Sequence, residues 1–143
     1  MTGKKTVVIT GATGFVGQHL CARLVEAGHA VVAVQRKPAP SLPGTRPVII
    51  DDITGEADWP RILGGVDCVV HLAASAHRGT HSQIRDVDRI REVNAGATQS
   101  LALSAAKAGV KRFVFLSSIA VNGSNTSGRA PFGIDDQCAP QTA

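Results

Sequence analysis

Gly11, Gly14 and Gly17 stand three residues apart, directly after the β-branched run Thr6-Val7-Val8-Ile9-Thr10. Positions without a Cβ at that spacing let a pyrophosphate rest on bare backbone N–H groups. A helix opening at Phe15 and Val16 would aim its partial positive charge at the same place, worth roughly 0.3–1 kcal/mol to an anion. Other side chains able to do chemistry also follow apolar runs. Ser117 and Ser118 present hydroxyls after Phe113 to Leu116. Arg36 follows the apolar stretch Ala30 to Val34 and can meet a phosphate in two-pronged geometry. His77 and His81, four apart, have the spacing of metal ligands on a helix, but no acidic or cysteine partner sits at a diagnostic distance. They read as loop histidines near a phosphate pocket, and no metal site is expected.

These groups need elements to hold them, and the hydrophobic period supplies the elements. A strand covers 6–10, and a helix follows whose apolar face is Phe15, Val16, Leu20, Leu24 and Val25, stopped by Gly28. Ala30 to Val34 is apolar throughout, as a parallel strand covered on both faces should be. Pro38, Pro40, Pro43 and Gly44 make a loop, and Pro47 to Ile50 is a third short strand closed by Asp51-Asp52. A short helix is expected at Trp59 to Leu63, with Trp59 a lid over the core, then a fourth strand at Val66 to Leu72. A loop covers Ala73 to Ser82. From about Asp86 the period is helical, with Ile90, Val93, Ala97, Leu101 and Ala105 inward and Arg85, Asp86, Asp88, Arg89, Arg91 and Glu92 on a solvated face. Gly109 ends that helix, Phe113 to Leu116 is the fifth strand, and 122–143 reads as loop.

Strand and helix alternating in this way imply right-handed crossovers and an α/β fold. The expected architecture is a Rossmann-like, doubly wound parallel sheet with strand order 3-2-1-4-5, its dinucleotide-binding domain spanning 1–121.

Composition narrows the function classes. At 143 residues the chain is one domain, able to bury roughly 70% of its unfolded surface. The net charge is +4, yet Lys and Arg are never more than two in a row, so a nucleic-acid partner and a polybasic membrane patch are both set aside. The mild positive field suits a phosphate-bearing ligand instead. Three cysteines without C-x-x-C spacing read as buried reduced thiols. No run of 18 apolar residues and no signal-peptide pattern occurs, and a cytoplasmic protein is expected.

The glycine turn has the spacing G-x-x-G-x-x-G, and with Thr10 and Thr13 it resembles that of the extended short-chain dehydrogenase/reductase family. Four further stretches fit the resemblance in order: Asp52-Ile53, His71-Leu72-Ala73-Ala74, Asn94 with Ala95-Gly96-Ala97-Thr98, and Phe115-Leu116-Ser117-Ser118-Ile119-Ala120-Val121-Asn122-Gly123. The chain is similar over nearly its whole length to nucleotide-sugar epimerases, dehydratases and reductases of the UDP-galactose 4-epimerase kind. The resemblance implies an NAD or NADP cofactor and a nucleotide-sugar substrate. It assigns Gly11, Thr13, Gly14, Phe15, Val16 and Gly17 to the cofactor's diphosphate end and Asp52 and Ile53 to adenine. Leu72, Ala73, Ala74, Asn94 and Ser117 fall on the ribose and nicotinamide side, and Ser118 is the catalytic hydroxyl.

At the end of the second strand, where an acid would accept both ribose hydroxyls of NAD, the residue is Gln35, followed by Arg36 and Lys37. That favours NADP modestly over NAD. Two departures from the family pattern matter. Asn122 replaces the Tyr of V-Y-G, and the catalytic Y-x-x-x-K is missing because the chain has no Tyr. The expectation is therefore an N-terminal part whose loop 122–143 leads towards an absent second half, inactive alone and possible as a homodimer. The competing expectation is a stand-alone dinucleotide-binding module, a sensor or scaffold without catalysis.

Overall fold

The structure, a computed structural model, describes residues 3–37, 42–54, 57–75 and 84–141. Five parallel strands form one sheet in the order β3-β2-β1-β4-β5, as the sequence led us to expect. The strands are β1 (Thr6–Thr10), β2 (Ala30–Gln35), β3 (Thr45–Ile49), β4 (Cys68–His71) and β5 (Arg112–Phe115). Helix α1 (Phe15–Glu26) links β1 to β2, and α2 (Trp59–Leu63) links β3 to β4. Between β4 and β5 run α3 (Ile84–Arg91), one π-helical turn (Glu92–Gly96) and α4 (Ala97–Lys107). A 3-10 turn follows at Ile119–Asn122.

Alternate residues of the central strands feed two cores, which is why those strands are apolar throughout. Val7, Ile9, Val31 and Ala33 pack with Cys21 of α1 on one face. Val8, Val32, Val34 and Val69 pack on the other with Trp59, Ile62 and Leu63 of α2 and Ala97, Leu101 and Ala105 of α4. Trp59 is buried over that second core.

Several boundaries differ from the sequence expectation. β3 starts at Thr45, because Pro47 sits in an edge strand where its missing N–H breaks no internal ladder. β4 starts only at Cys68, since the Val66 N–H is used to close α2 by bonding the Leu63 carbonyl. The third helical segment begins at Ile84 and carries a π turn that the period does not announce.

The apolar face of α1 is also corrected. Phe15 is 83% exposed and Val16 48%, so the face is instead Gly17, Leu20, Cys21, Leu24 and Val25. The reason is helix phase. Gly17 is pressed against the turn after β1, and this rolls Phe15 and Val16 outward. Cys21 is buried as expected, Cys68 is half-buried, and Cys138 is exposed because its segment has no core of its own.

Beyond the 3-10 turn, residues 123–141 contain no helix or strand, but they fold back on that turn. The Ala139 N–H donates to the Val121 carbonyl at 2.8 Å, and the Asn122 amide donates to the Asp136 carbonyl at 3.1 Å.

The phase of α4 is checked by two truncations. Leu101 is fully buried and Leu103 is 56% exposed. Leu101→Ala should cost about 2–5 kcal/mol in a urea titration, whereas Leu103→Ala should cost less than about 0.5 kcal/mol. Equal losses would contradict the packing of α4.

Candidate functional site

All five strands are parallel, so the segments after β1, β2, β3, β4 and β5 emerge on one edge of the sheet. Thr10 stands beside Val34 and His71, and His71 beside Phe115. Between β1 and β4 the chain direction of winding reverses, and such a switch point leaves a crevice outside the strand ends.

The turn after β1 is packed backbone to backbone. Gly11 has φ +68°, and a Cβ there would stand 2.8 Å from both the Ala73 nitrogen and the Leu72 carbonyl carbon. A Cβ on Gly17 would stand 2.3 Å from the Gly11 carbonyl oxygen and 2.8 Å from the Ala12 backbone. Gly14 is less crowded, with only the Gly11 oxygen near its Cβ position, at 3.2 Å. It is the N-cap of α1 and supplies no capping side chain, and no acidic residue occupies the first turn. That helix start is left open to an anion. Thr13, Phe15 and Val16 are exposed around it.

The segment after β4 is held from several sides. The Leu72 N–H donates to the Thr10 carbonyl at 3.2 Å, and the Ala73 N–H donates to Thr10 Oγ1 at 3.3 Å. Asn94 brackets Ser75: its Oδ1 accepts the Ser75 N–H at 2.7 Å and its Nδ2 donates to the Ser75 carbonyl at 2.8 Å. The π turn carries Asn94, and such single-turn irregularities often occur at functional sites. His71 lies between Thr10 Oγ1, 2.6 Å from its Nδ1, and Thr98 Oγ1, 2.8 Å from its Nε2. Thr10 and His71 are the buried polar residues among those described. Burial pushes the His71 pKa below the ordinary histidine value.

The remaining candidates sit on the same edge. Arg36 is exposed just beyond β2 and makes no ion pair among the described residues. Asp52 accepts from the Thr54 N–H and hydroxyl, both at 2.9 Å, and pairs with Arg89 of α3. The Thr54 bonds, and then Arg89, hold its carboxyl below the usual carboxylate range. The Ile53 side chain is buried in the core around Trp59. Ser117 and Ser118 are exposed. Ser118 Oγ caps the 3-10 turn by accepting the Ala120 N–H at 3.2 Å and keeps its own proton to donate.

Thr10, His71 and Thr98 did not figure as site residues in the sequence reading. For Thr10 and His71 the signal was a polar residue at the C-terminal end of an otherwise apolar strand, and Thr98, in α4, closes the Asn94 to Thr98 stretch of the family resemblance. A cleft of about 800 Å³ runs along β3 and α2 between Arg46, Asp51, Asp58 and Arg61 and shares only Asp52 with the candidate site. It is two strands from the glycine turn, so backbone geometry, not concavity, locates the site. His77 and His81 lie outside the described residues. Among the described residues no helix is long and apolar enough to cross a membrane, and no group of three or more His, Cys, Asp or Glu side chains is placed to hold a metal ion.

Residues 7–143 match the NAD dependent epimerase/dehydratase family. The chain is 36% identical over 137 residues to a UDP-glucose 4-epimerase of Vibrio cholerae, covering 96% of this chain and 42% of that protein. It is also 36% identical over 129 residues to a 3 beta-hydroxysteroid dehydrogenase/Delta 5→4-isomerase of Mycobacterium tuberculosis, covering 85% of this chain and 34% of the relative. Among solved structures, MoeE5 in complex with UDP-glucuronic acid and NAD superposes with a TM-score of 0.81 at 32% identity, over 98% of this chain and 44% of that one. A short-chain dehydrogenase/reductase superfamily protein from Agrobacterium tumefaciens with bound NAD gives 0.80 at 30% identity, over 96% and 40%. The chain thus spans less than half the length of these relatives.

Two outcomes follow from the geometry. Gly17→Ala, which forces backbone against backbone, should destabilise the fold by about 1–3 kcal/mol in denaturant titration, and Gly14→Ala by clearly less. The folded-state pKa of His71 is lowered, so the unfolded chain takes up the proton first. The contribution is present in full above the ordinary value of 6.5 and is lost as pH falls from there. The urea midpoint should therefore drop between pH 7.5 and pH 5.5, and a flat or rising midpoint would contradict a buried neutral His71.

Proposed function

The chain belongs to the NAD dependent epimerase/dehydratase family, and from that premise we propose that it is the dinucleotide-binding part of a nucleotide-sugar epimerase, dehydratase or reductase. The observation that carries the reading is the uncapped, acid-free start of α1, with Gly17 pressed on the turn after β1 and Gly11 of that turn pressed on the segment after β4, at the switch point of the sheet. A diphosphate fits there: backbone N–H groups face it, and no side chain competes for them. The UDP-glucose 4-epimerase relative and the UDP-glucuronic acid complex of MoeE5 support a nucleotide-sugar substrate.

The roles divide along the strand edge. Gly11, Thr13, Gly14, Phe15, Val16 and Gly17 surround the diphosphate. Arg36 meets the adenosine ribose or its 2′-phosphate, and Asp52 with the Ile53 backbone borders adenine. Leu72, Ala73, Ala74 and Ser117 flank the nicotinamide side, and Asn94 fixes the segment they belong to through Ser75. The bound dinucleotide would supply a hydride acceptor and donor. Ser118, whose hydroxyl proton is free, would hydrogen-bond the substrate oxygen at the carbon that loses or gains hydride. Moving that oxygen's proton needs a group with a pKa near the working pH, and the Tyr that does so in the family is not among these 143 residues.

A second reading, a dinucleotide-binding module without catalysis, is favoured by Ser118, whose side chain is exposed and engaged in capping the 3-10 turn. Turnover separates the two. Hydride exchange between NAD and UDP-glucose by these residues joined to the Tyr-bearing portion of a family relative favours the enzyme, and binding of NAD without exchange by that chimera favours the module.

The cofactor preference rests on Gln35 and Arg36. Gln35 places no carboxylate against a 2′-phosphate, and the exposed Arg36 can pair with it. An exposed pair of this kind is worth up to about 1 kcal/mol, or roughly fivefold in affinity. Calorimetric titration should show NADP binding about fivefold tighter than NAD, with the preference abolished in Arg36→Ala. Equal affinities in both proteins would overturn the assignment.

A further inference from the structure

The chain of contacts through His71 has a direction that can be worked out from one end. Thr98 Oγ1 donates its single proton to the Asn94 carbonyl at 2.8 Å. Its 2.8 Å contact with His71 Nε2 therefore requires a proton on that nitrogen. A neutral imidazole protonated at Nε2 has a bare Nδ1, so the 2.6 Å contact there takes the Thr10 hydroxyl proton. Thr10 Oγ1 is then free to accept the Ala73 N–H. Every donor and acceptor in the chain is used, and no buried side-chain polar atom among the described residues lacks a partner.

The two ends of this chain meet the same short segment. Ala73 is held through Thr10, and Ser75 is held through the Asn94 amide, whose own backbone carbonyl anchors Thr98. The circuit thus runs from Ala73 through Thr10, His71, Thr98 and Asn94 to Ser75. We propose that His71, as its neutral Nε2–H tautomer, is a positioning residue that fixes the 73–75 backbone on which the nicotinamide side of the dinucleotide rests. This inference rests on the dinucleotide reading above and adds to it the residue that orients that wall of the site.

Imidazole is the side chain suited to the task, because it offers a donor and an acceptor on opposite edges of a rigid ring. The cation would not serve. With a proton on Nδ1, Thr10 Oγ1 would face two incoming donors and its own proton would lose its acceptor. Nor does the surrounding structure favour the cation. His71 is flanked by Thr10 of β1, Thr98 of α4, and Phe113 and Phe115 of β5, whose ring centroids lie 6.2 and 5.9 Å away. None of these neighbours is charged or titratable. Burial accordingly holds the ring neutral.

Two measurements test the proposal. Long-range 1H–15N correlation on the histidine-labelled 143-residue chain, with His71 assigned by comparison with His71→Asn, should show the neutral Nε2–H tautomer at pH 7.5. An Nδ1–H tautomer or an imidazolium overturns the proposal without any need for a variant to fold. Thr98→Val removes the acceptor of the Nε2 proton, while Thr98→Ser keeps it. NAD should bind about tenfold more weakly to Thr98→Val, with affinity restored to within about twofold in Thr98→Ser. Unchanged affinity in Thr98→Val overturns the positioning role alone. Failure of the wild-type chain to bind either NAD or NADP overturns the dinucleotide reading itself, and the ligand half of this proposal with it.

Discussion

The site depends on one packing constraint: the backbone after β1 touches the backbone after β4 and the start of α1 with no room for a Cβ at Gly11 or Gly17. Because interiors are close-packed, such a contact fixes positions instead of merely favouring them. It sets the phase of α1, turning Gly17 and Cys21 inward and Phe15 and Val16 out. It also brings the helix start beside Leu72 and Ala73. The anion-binding geometry and the wall of the crevice are thus consequences of the same two missing methyl groups.

Most of the fold was legible from apolar periodicity, for a specific reason. The strands are buried on both faces, so runs such as Val31 to Val34 carry an unmistakable signature, and the glycines punctuate them. What periodicity could not give was phase and termination. Phe15 and Val16 are apolar residues at helical spacing, and nothing in the sequence says that a glycine contact two residues on rotates them to solvent. The π turn at Glu92–Gly96 is equally silent, since its effect is a single-residue shift within a continuing helix. Asp52 illustrates a third kind of limit. Its position after β3 was readable, but its pairing with Arg89, thirty-seven residues away, is a tertiary fact.

The buried polar chain escaped the sequence reading for a related reason. Thr10 and His71 are the last residues of two apolar strands, and their place in the strand says nothing of what their side chains meet. Only the register, which sets Thr10 beside His71, and the packing of α4, which brings Thr98 over the ring, turn them into a connected set. Buried polar groups are costly unless every member is satisfied, and a satisfied network specifies a single arrangement. The sheet therefore carries its apolar stability in the strand middles and its precision at the strand ends.

The two halves of that edge differ in physical character. Around β1 and β4, Thr10 and His71 are sealed and hydrogen-bonded, and the segment 72–75 is tied at Leu72, Ala73 and Ser75. Around β5, Val114, Phe115 and Leu116 are 41%, 51% and 55% exposed, and Ser117 and Ser118 lie open beside them. Binding a dinucleotide needs preorganised backbone, which the first half provides. Transferring a proton with control needs a site from which water is excluded, so that fixed dipoles act in a low dielectric. Ser118, solvated and occupied in capping a 3-10 turn, does not have that environment among the described residues. On the proposed reading, recognition of a dinucleotide would rest on the strands and their glycine turn, whereas reaction of a substrate would require water to be excluded from the exposed flank of β5.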